Sequence, residues 1–396
     1  MAGPRGEVDR YDGAGHRGEG AMSAPHTAMA VLIEPAPYIV RLLEELQAQW
    51  TEPVQGWFIS ASFTQDWRQD GDKPIYGILP RSKGRALRKL WLEMRLTRPS
   101  VVFVSGWSHP LIIATIVMAR LSGAKVVSMS DTWTSTSRGM RAMFKRLVLR
   151  LIHAFTPGGA RQARYLRTQC VPPGQIFPAC MTSDMRAIHA FMATEGPDRR
   201  AVLRTEMGVT DDTVVFLFVG RLEPVKGLDL LIEAIGTESG AEMARLVIVG
   251  DGTERNMVVA AAGRDPRLIY RGRLEGEALW AEFAAADVLV VPSRSEPWGL
   301  VVNEAMSAGL AVVLNDCCGC IDDLVVQGET GLVVPTGDAV ALRGALDTLA
   351  RDPLRVVEMR RAAETRIQGW TTEAWAANIV AAWLEVLKGV RQQREG

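Results

Sequence analysis

Short, continuously apolar segments alternate with helix-like segments along this chain, and this alternation constrains the fold more than any other feature. In the second half, VVFLFV (Val214–Val219), LVIV (246–249) and VLVV (Val288–Val291) lack the polar alternation of a half-exposed strand. Strands that are apolar on both faces are typical of parallel sheets covered by helices on each side. The pattern therefore predicts a doubly wound α/β architecture.

The length of the chain predicts two such domains. With 396 residues it exceeds one typical core and suits two domains of about 150–200 residues each. The polar, helix-breaking segment at 192–200 predicts a linker between an N-terminal domain at 30–191 and a C-terminal domain at 201–370. Residues 371–396 predict a closing helix that could cross back to the N-terminal domain. Residues 1–29 are polar and glycine-rich without the apolar core of a secretory signal, which predicts a disordered tail.

Composition argues against several other classes of protein. No apolar run reaches the roughly 20 residues that a membrane-spanning helix needs. The five cysteines are an odd number without the spacing of a disulfide framework, so we expect a cytoplasmic protein. Cys317 and Cys320 have a CxxC spacing, but a zinc site needs further cysteines or histidines nearby, and the sequence offers none.

Charge is distributed unevenly along the chain. Residues 75–190 contain 18 Lys or Arg and 3 Asp or Glu, whereas the whole chain has a net charge of zero. Such a basic domain is attracted to phosphates or to an acidic lipid surface, although a solvated surface that only keeps the protein soluble is the alternative. The helix predicted at 139–153 interleaves apolar and basic residues. It fits either a helix lying on an acidic membrane or a core helix with a basic outer face.

The sharpest functional signal is SEPWGLVVNEAMSAG at 295–309. Its two glutamates, Glu296 and Glu304, are separated by seven residues, and a helix is predicted from Leu300. The first N–H groups of a helix favour a phosphate. Glu304, a little over one turn into that helix, could accept hydrogen bonds from sugar or ribose hydroxyls in the same pocket as Glu296. An acidic turn that only interacts with the helix dipole is the alternative.

A second signal is VGRLEPVKG at 219–227, where Arg221 and Lys226 follow Gly220 at the end of a buried strand. Two cations at the carboxyl edge of a sheet suit a diphosphate that gains charge as a glycosidic bond breaks. The turn VGDGT, which contains Gly252, is a weaker signal of the same kind. RGRL, which contains Arg273, is weaker still.

Together, VGRLEPVKG, VGDGT and PSRSEPWGLVVNEAMSAG followed by GETGLVVP resemble the family 4 retaining glycosyltransferases of the GT-B fold. The close match covers residues 214–335. The resemblance implies that Arg221 and Lys226 hold the donor diphosphate. It also implies that Glu296 contacts the transferred sugar, that Glu304 contacts the ribose, and that no metal is needed. Backbone amides that meet the phosphates or the sugar would belong to Trp298, Gly299, Leu300 and Val301.

The first domain resembles the family only in its pattern. The paired-glycine loop that often follows the first strand is replaced by EPAPY at 34–38, which makes Tyr38 an acceptor-side candidate. Many members carry a histidine after a first-domain strand, and here Asp131 stands in that place as the catalytic candidate. His109 follows the preceding strand and is a second acceptor-side candidate. Either residue could instead be only a helix cap.

These observations and the resemblance predict a glycosyltransferase that needs neither metal nor cofactor. It would move a hexose-type sugar from a UDP- or GDP-linked donor to a saccharide or polyprenyl-linked acceptor with retention, in polysaccharide or glycolipid biosynthesis. We expect peripheral contact with the inner face of the plasma membrane through the basic N-terminal domain, and no nucleic-acid partner. The alternatives are a GT-B nucleotide-sugar epimerase or phosphorylase, and a catalytically idle relative that binds nucleotide-sugar.

Overall fold

The N-terminal half of the protein alternates strands and helices. We describe it from a computed structural model, which covers residues 26–61, 76–134, 139–235 and 244–392. Its elements are β1 (Ala28–Leu32), α1 (Pro37–Gln49), β2 (Val54–Phe58), β3 (Tyr76–Ile78), α2 (Lys83–Thr97), β4 (Val101–Ser105), α3 (Pro110–Leu121), β5 (Lys125–Ser130), α4 (Met140–Leu149), β6 (Ala154–Pro157) and α5 (Ala160–Thr168).

The C-terminal half repeats the alternation. Its elements are α6 (Arg186–Thr194), α7 (Gly196–Glu206), β7 (Val214–Val219), α8 (Leu228–Ile235), β8 (Ala244–Val249), α9 (Arg255–Ala262), β9 (Leu268–Gly272), α10 (Glu277–Ala285), β10 (Val288–Val291), α11 (Leu300–Ser307), β11 (Ala311–Asn315), α12 (Ile321–Leu324), β12 (Gly331–Val334), α13 (Ala339–Ala350), α14 (Pro353–Ile367) and α15 (Thr372–Gln392).

Each half forms one parallel sheet of six strands. The first sheet has the order β3-β2-β1-β4-β5-β6, and the second, read in the same direction, has the order β9-β8-β7-β10-β11-β12. Both correspond to the order 3-2-1-4-5-6 of the doubly wound dinucleotide-binding fold. The prediction of two Rossmann-like domains is confirmed.

Each sheet is covered on both faces because its central strands are apolar throughout. In β7, Val215 and Leu217 pack into the core on one face, whereas Phe216 and Phe218 pack into the core on the other. Successive side chains of a strand point to opposite faces, so a continuous apolar run supplies two cores at once. Within the described ranges, no helix combines the length and the apolar character that crossing a bilayer requires.

The final helix, α15, packs against the N-terminal domain rather than against the domain that precedes it in sequence. Trp383 is fully buried there, with its ring centroid 5.1 Å from that of Trp50 and 5.9 Å from that of Phe103. Trp375 and Ile379 enter the same core. The last helix therefore completes one face of the first sheet.

Residues 192–200 differ from the sequence-based expectation of a helix-breaking linker, because they lie in α6 and α7. Pro197 occupies the first turn of α7, where the missing N–H of proline costs nothing. Arg204 then fixes α7 to the second sheet through Asp287 Oδ2, 3.0 Å from its Nη1. Of the expected tail, Ala28 and Met29 belong to β1, and residues 1–25 lie outside the described ranges.

Candidate active site

The carboxyl ends of the two sheets meet at a cleft between the domains, and residues from the two edges touch directly. Trp133 follows β5 in the N-terminal domain, and Glu296 follows β10 in the C-terminal domain. The indole Nε1 of Trp133 donates a hydrogen bond of 3.2 Å to the backbone oxygen of Glu296. Ligands of doubly wound folds bind at this edge, so the contact marks the candidate site.

Lys226 and Glu296 form an ion pair at the C-terminal side of the cleft. The Lys226 Nζ lies 2.5 Å from Glu296 Oε2, and the two side chains retain 20% and 12% of their exposure. Partial burial strengthens such a pair relative to a surface salt bridge. The structure thus brings together one residue from each of the two sharpest sequence motifs.

Arg221 lies on the same turn as Lys226, at the end of β7. Its side chain is exposed, and within the described part of the chain it makes no ion pair or side-chain hydrogen bond. The N–H of the preceding Gly220 donates to the Val249 oxygen at 3.1 Å, which ties the ends of β7 and β8 together. A guanidinium in this position is available to an incoming anion.

Gly252 is required by packing beside this turn. Its φ is +158°, and a Cβ there would lie 2.5 Å from the backbone oxygen of Leu222. Any side chain would force the VGDGT turn away from the Arg221 turn. The structure therefore gives Gly252 a role in holding two backbone segments close together.

Helix α11 begins at Leu300, as the sequence predicts, and Gly299 precedes it with a φ of +97°. This left-handed conformation favours glycine. The first turn of a helix leaves N–H groups without helical partners, here including those of Leu300 and Val301. Trp298 fixes their direction, because its buried indole donates to Asn303 Oδ1 at 2.9 Å. The result is a turn directly after Glu296 whose backbone N–H groups have the geometry that suits an anion.

Glu304 lies further along α11 and is only partly buried. The Ser183 hydroxyl lies 3.5 Å from Glu304 Oε1 and is its side-chain partner. Desolvation outweighs this hydrogen bond and raises the pKa of Glu304 to about 7. The pKa of this carboxyl group is thus close to neutral pH, and hydrogen bonds from a hydroxyl-rich ligand could favour its charged form.

Asp131 and Tyr38 lie close together on the N-terminal side. Asp131 is reached by solvent, yet desolvation by the surrounding protein raises its pKa, and a hydrogen bond from Thr132 opposes that shift. Burial raises the pKa of Tyr38 to about 12, with the charges of Asp131 and Glu34 adding to the effect. Tyr38 is therefore a neutral hydrogen-bond donor beside a carboxyl group at this edge.

His109 caps helix α3. Its Nδ1 accepts a hydrogen bond of 3.2 Å from the backbone N–H of Leu111. Partial burial and the nearby charge of Lys83 lower its pKa. A neutral imidazole that accepts a hydrogen bond from the first turn of α3 acts as a helix cap. This is the alternative role that the sequence left open for His109.

Arg273 points into solvent and is already paired. Its Nε and Nη2 lie 2.9 and 2.5 Å from Glu275 Oε1, and its side chain is 55% exposed. The geometry gives no contact between Arg273 and the Lys226–Glu296 pair. A donor-binding role for Arg273 therefore has no support from the structure.

Comparison with known proteins identifies the family. The family model "Glycosyl transferases group 1" matches residues 200–368. A D-inositol 3-phosphate glycosyltransferase of Streptomyces avermitilis is 32% identical over 360 residues, covering 87% of this chain and 72% of that relative. This chain belongs to the group 1 glycosyltransferases. Several further curated relatives match this glycosyltransferase over only 46% to 48% of their own length.

Solved structures show the same fold. Sucrose-phosphate synthase from Thermosynechococcus elongatus superposes on the glycosyltransferase with a TM-score of 0.71 at 20% identity, covering 92% of this chain and 100% of that one. HepE of Anabaena, solved in complex with UDP, has a TM-score of 0.70 at 14% identity with the same coverage. The glycosyltransferase therefore has the GT-B architecture of two facing Rossmann-like domains.

Sequence reasoning missed two residues that hold the Glu296 turn from the N-terminal domain of this glycosyltransferase. One is Trp133, whose ring also lies under the Arg161 guanidinium at 5.1 Å. The other is the fully buried Gln162, whose Nε2 donates to the backbone oxygen of Pro297 at 2.9 Å. Both contacts join segments more than a hundred residues apart. Only the position of Trp133, two residues after Asp131, could have pointed to it.

The loop after β11 supports the same turn from behind. Cys317, Cys318 and Cys320 are buried there as free thiols, and the pKa of Cys317 falls to about 7 because the Cys318 thiol and Thr336 stabilise its thiolate. The N–H of Gly319 donates to the Glu296 oxygen at 3.0 Å. The described residues contain no cluster of His, Cys, Asp and Glu able to hold a metal ion. In this structure the cysteine loop therefore braces the Glu296 turn.

Proposed function

We propose that this enzyme transfers a hexose-type sugar from a nucleoside diphosphate sugar to an acceptor hydroxyl, with retention of anomeric configuration and without a metal ion. The observation that carries the proposal is the Lys226–Glu296 ion pair, set beside Arg221 and the N-terminus of α11. Cations and free amides suit the diphosphate, and a carboxylate suits the hydroxyls of a sugar. HepE, which shares the fold, binds UDP.

Donor binding would rearrange this pair. The diphosphate would draw the Lys226 ammonium away from Glu296, with Arg221 supplying the second cation. Glu296 would then be free to accept hydrogen bonds from the transferred sugar, while Glu304 accepts from the ribose. As the glycosidic bond breaks, Lys226, Arg221 and the amides near Gly299 and Leu300 would stabilise the charge that develops on the leaving phosphate.

The acceptor would approach from the N-terminal edge. Asp131 and Tyr38 lie there as a carboxyl group with a raised pKa and a neutral phenol, which together can accept and donate hydrogen bonds to an acceptor hydroxyl. Attack from the face that the nucleotide leaves would retain the anomeric configuration.

The five free cysteines support a cytoplasmic location.

The acceptor class that the charge distribution favours is an anionic saccharide or a lipid-linked saccharide. Residues 75–190, which include the acceptor side of the cleft, carry 18 basic and 3 acidic side chains. The Streptomyces avermitilis relative is named for an inositol phosphate acceptor. Both observations support an acceptor that carries phosphate, in polysaccharide or glycolipid synthesis.

A thermal-shift panel of UDP-, GDP- and ADP-linked sugars tests the donor. A donor at about 100 times its Kd stabilises the folded protein by about 2.7 kcal/mol, so the correct base will give the largest rise in Tm. Proton NMR of the product then reports the anomeric configuration. A product with inverted configuration would contradict the retaining mechanism.

The site assignment has its own test. We expect Glu296→Ala to lower turnover about 100-fold or more while the Tm stays close to that of the wild type. Glu275→Ala, which removes an exposed carboxylate outside the cleft, is the matched control and should retain full activity. Near-normal turnover in Glu296→Ala would rule out this site.

The comparisons do not favour the epimerase, the phosphorylase or the idle relative, and simple incubations separate them. An epimerase would convert the donor without any acceptor. A phosphorylase would show the absorbance band of pyridoxal phosphate. An idle relative would give a thermal shift with donor but no turnover with any acceptor.

A further inference from the structure

Helix α4 presents a row of large apolar side chains to solvent. The row consists of Met140, Met143, Phe144 and Leu147, which are 83%, 60%, 55% and 51% exposed. Their spacing places them on one face of the helix. The two residues that enter the core, Val148 and Leu149, lie at the C-terminal end of α4. The structure therefore excludes the core-helix interpretation for this apolar face.

Basic side chains flank the apolar row. Arg141, Arg146 and Arg150 are exposed, and within the described ranges none of them forms an ion pair. Lys145 behaves differently, because its Nζ contacts the Tyr165 hydroxyl and lies 5.7 Å from the centroid of the Trp107 ring. Lys145 thus fastens α4 to its domain, and the three arginines are left to face outward. Helix α4 contains no acidic residue.

The exposure of the row increases toward the cleft. Because β5 and β6 are parallel, α4 runs from the cleft edge, where Asp131 lies, back to the opposite edge, where β6 begins. Met140, at the start of α4, is the most exposed of the four, whereas the end of the helix is buried. The apolar face is therefore most open on the side where an acceptor would enter.

We propose that this face of α4 binds the surface of an anionic lipid bilayer. The four apolar side chains would enter the boundary between headgroups and acyl chains, and the three arginines would meet the headgroup phosphates. The surplus of basic residues across 75–190 would add long-range attraction to the same surface. This inference concerns a lipid partner and does not depend on the sugar transfer proposed above.

Charge argues against a second copy of the chain as the occupant. A two-fold interface centred on α4 would place the helix of one copy against the same helix of the other, because such an interface uses the same patch on both subunits. The arginines of the two copies, which form no ion pair among the described residues, would then face each other across helices that carry no acidic residue, and juxtaposed like charges oppose association. An anionic bilayer instead supplies both an apolar region for the four large side chains and negative charges for the three arginines.

Vesicle co-sedimentation with the full chain tests the proposal. We expect binding to mixed phosphatidylglycerol–phosphatidylcholine vesicles and much weaker binding to pure phosphatidylcholine vesicles. Replacing Phe144 and Leu147 with serine should lower the partition coefficient at least about tenfold. Leu354→Ser is the matched control, since Leu354 is 79% exposed on α14 of the other domain, and it should bind as the wild type does.

A second variant tests the electrostatic part. Changing Arg141, Arg146 and Arg150 to serine should lower partition about fivefold for each arginine removed, and added salt should weaken the wild type in parallel. Thermal melts of each variant will show whether the fold is kept, as expected for exposed side chains. Equal wild-type binding to neutral and anionic vesicles, or unchanged binding of the Phe144 and Leu147 variant, would overturn the proposal. So would a dimer in lipid-free sedimentation that the same variant dissociates.

Discussion

The two domains share one strand order but present different chemistry at the edges that face each other. The C-terminal edge carries an ion pair, Lys226 with Glu296, beside a helix N-terminus and Arg221, which has no ion-pair partner among the described residues. The N-terminal edge carries Asp131 and Tyr38, and Trp133 and Gln162 make its contacts with the Glu296 turn.

One topology can therefore carry two different sets of functional groups. The C-terminal edge gathers the charges that suit a diphosphate, whereas the N-terminal edge holds the turn that displays them. Fold alone would not distinguish the two edges, because function depends on the side chains that each edge carries. How far each domain depends on the other can be measured.

The largest expected effect is on stability and concerns the N-terminal domain alone. Trp383→Ala should lower the free energy of unfolding by about 3–5 kcal/mol, because it empties a fully buried site between Trp50 and Phe103. Hydrogen exchange should speed up in α1 and β4 while β7 and β10 keep their protection. Equal loss of protection in both sheets would show that the domains unfold as one unit.

The next effect is on catalysis and concerns the C-terminal edge. Lys226→Ala should lower kcat about 100-fold, because it removes the cation that would meet the leaving phosphate and leaves Glu296 unpaired. Steady-state kinetics with the donor identified by thermal shift will measure it. Arg273→Ala serves as the control, since Glu275 is the one ion-pair partner of Arg273 among the described residues, and it should stay within about twofold of wild type.

We expect Glu304 to give a pH-dependent effect of intermediate size on the free energy of unfolding. Its folded-state pKa is raised to about 7, so between about pH 4.5 and pH 7 the folded protein binds more protons than the unfolded chain. The contribution of Glu304 to stability therefore falls as pH rises through this window. Glu304→Gln removes the dependence and should be more stable than wild type by about 2 kcal/mol at pH 8, an amount that allows for partial exposure.

Denaturant titrations of wild type and Glu304→Gln at about pH 5 and pH 8 check the sign. The stability advantage of the variant should grow with pH. Donor affinity of the wild type should rise over the same range, because a charged carboxylate accepts hydroxyl hydrogen bonds more strongly. An advantage that shrinks as pH rises would contradict the raised pKa of Glu304 and the desolvation that causes it.

The smallest expected effect crosses the cleft. Trp133→Phe keeps a ring beside Arg161 but removes the N–H that donates to the Glu296 oxygen, and kcat should fall about fivefold to tenfold with little change in Tm. Trp91→Phe, on α2, makes the same substitution away from the cleft and should change neither quantity. An unchanged kcat in Trp133→Phe would mean that the hydrogen bond from Trp133 does not help to position Glu296.

The same contrast explains how much the sequence could predict. The strand Val288–Val291 and the start of α11 at Leu300 are encoded locally, by an apolar run and by a glycine turn, and both were predicted where the structure has them. The short strands β3 and β6 were not predicted, because their sequences, YGI and AFTP, lack the continuous apolar run of Val288–Val291. Residues 192–200 were expected to break helices but are mostly helical. Proline breaks the interior of a helix, yet it is favourable in the first turn, where Pro197 lies.

Side-chain contacts between the domains were beyond sequence reasoning. The Lys226–Glu296 pair, by contrast, lies within one domain and could be anticipated. Both residues follow strands of the same sheet, and the carboxyl ends of these strands must lie near each other. The hydrogen bonds of Trp133 and Gln162 to the Glu296 turn depend on how two domains dock, which no local pattern encodes. The outward orientation of the apolar face of α4 likewise depends on which side of the helix meets its own sheet.

The return of α15 to the first sheet has a consequence for the order in which the protein matures during synthesis. The ribosome releases β1 long before Trp383, yet both help to build the same core. The N-terminal domain therefore waits, incomplete, until the C-terminal domain has emerged and can fold within itself. A nascent chain stalled before α15 would expose the Trp50 and Phe103 surface and would be a ready substrate for chaperones.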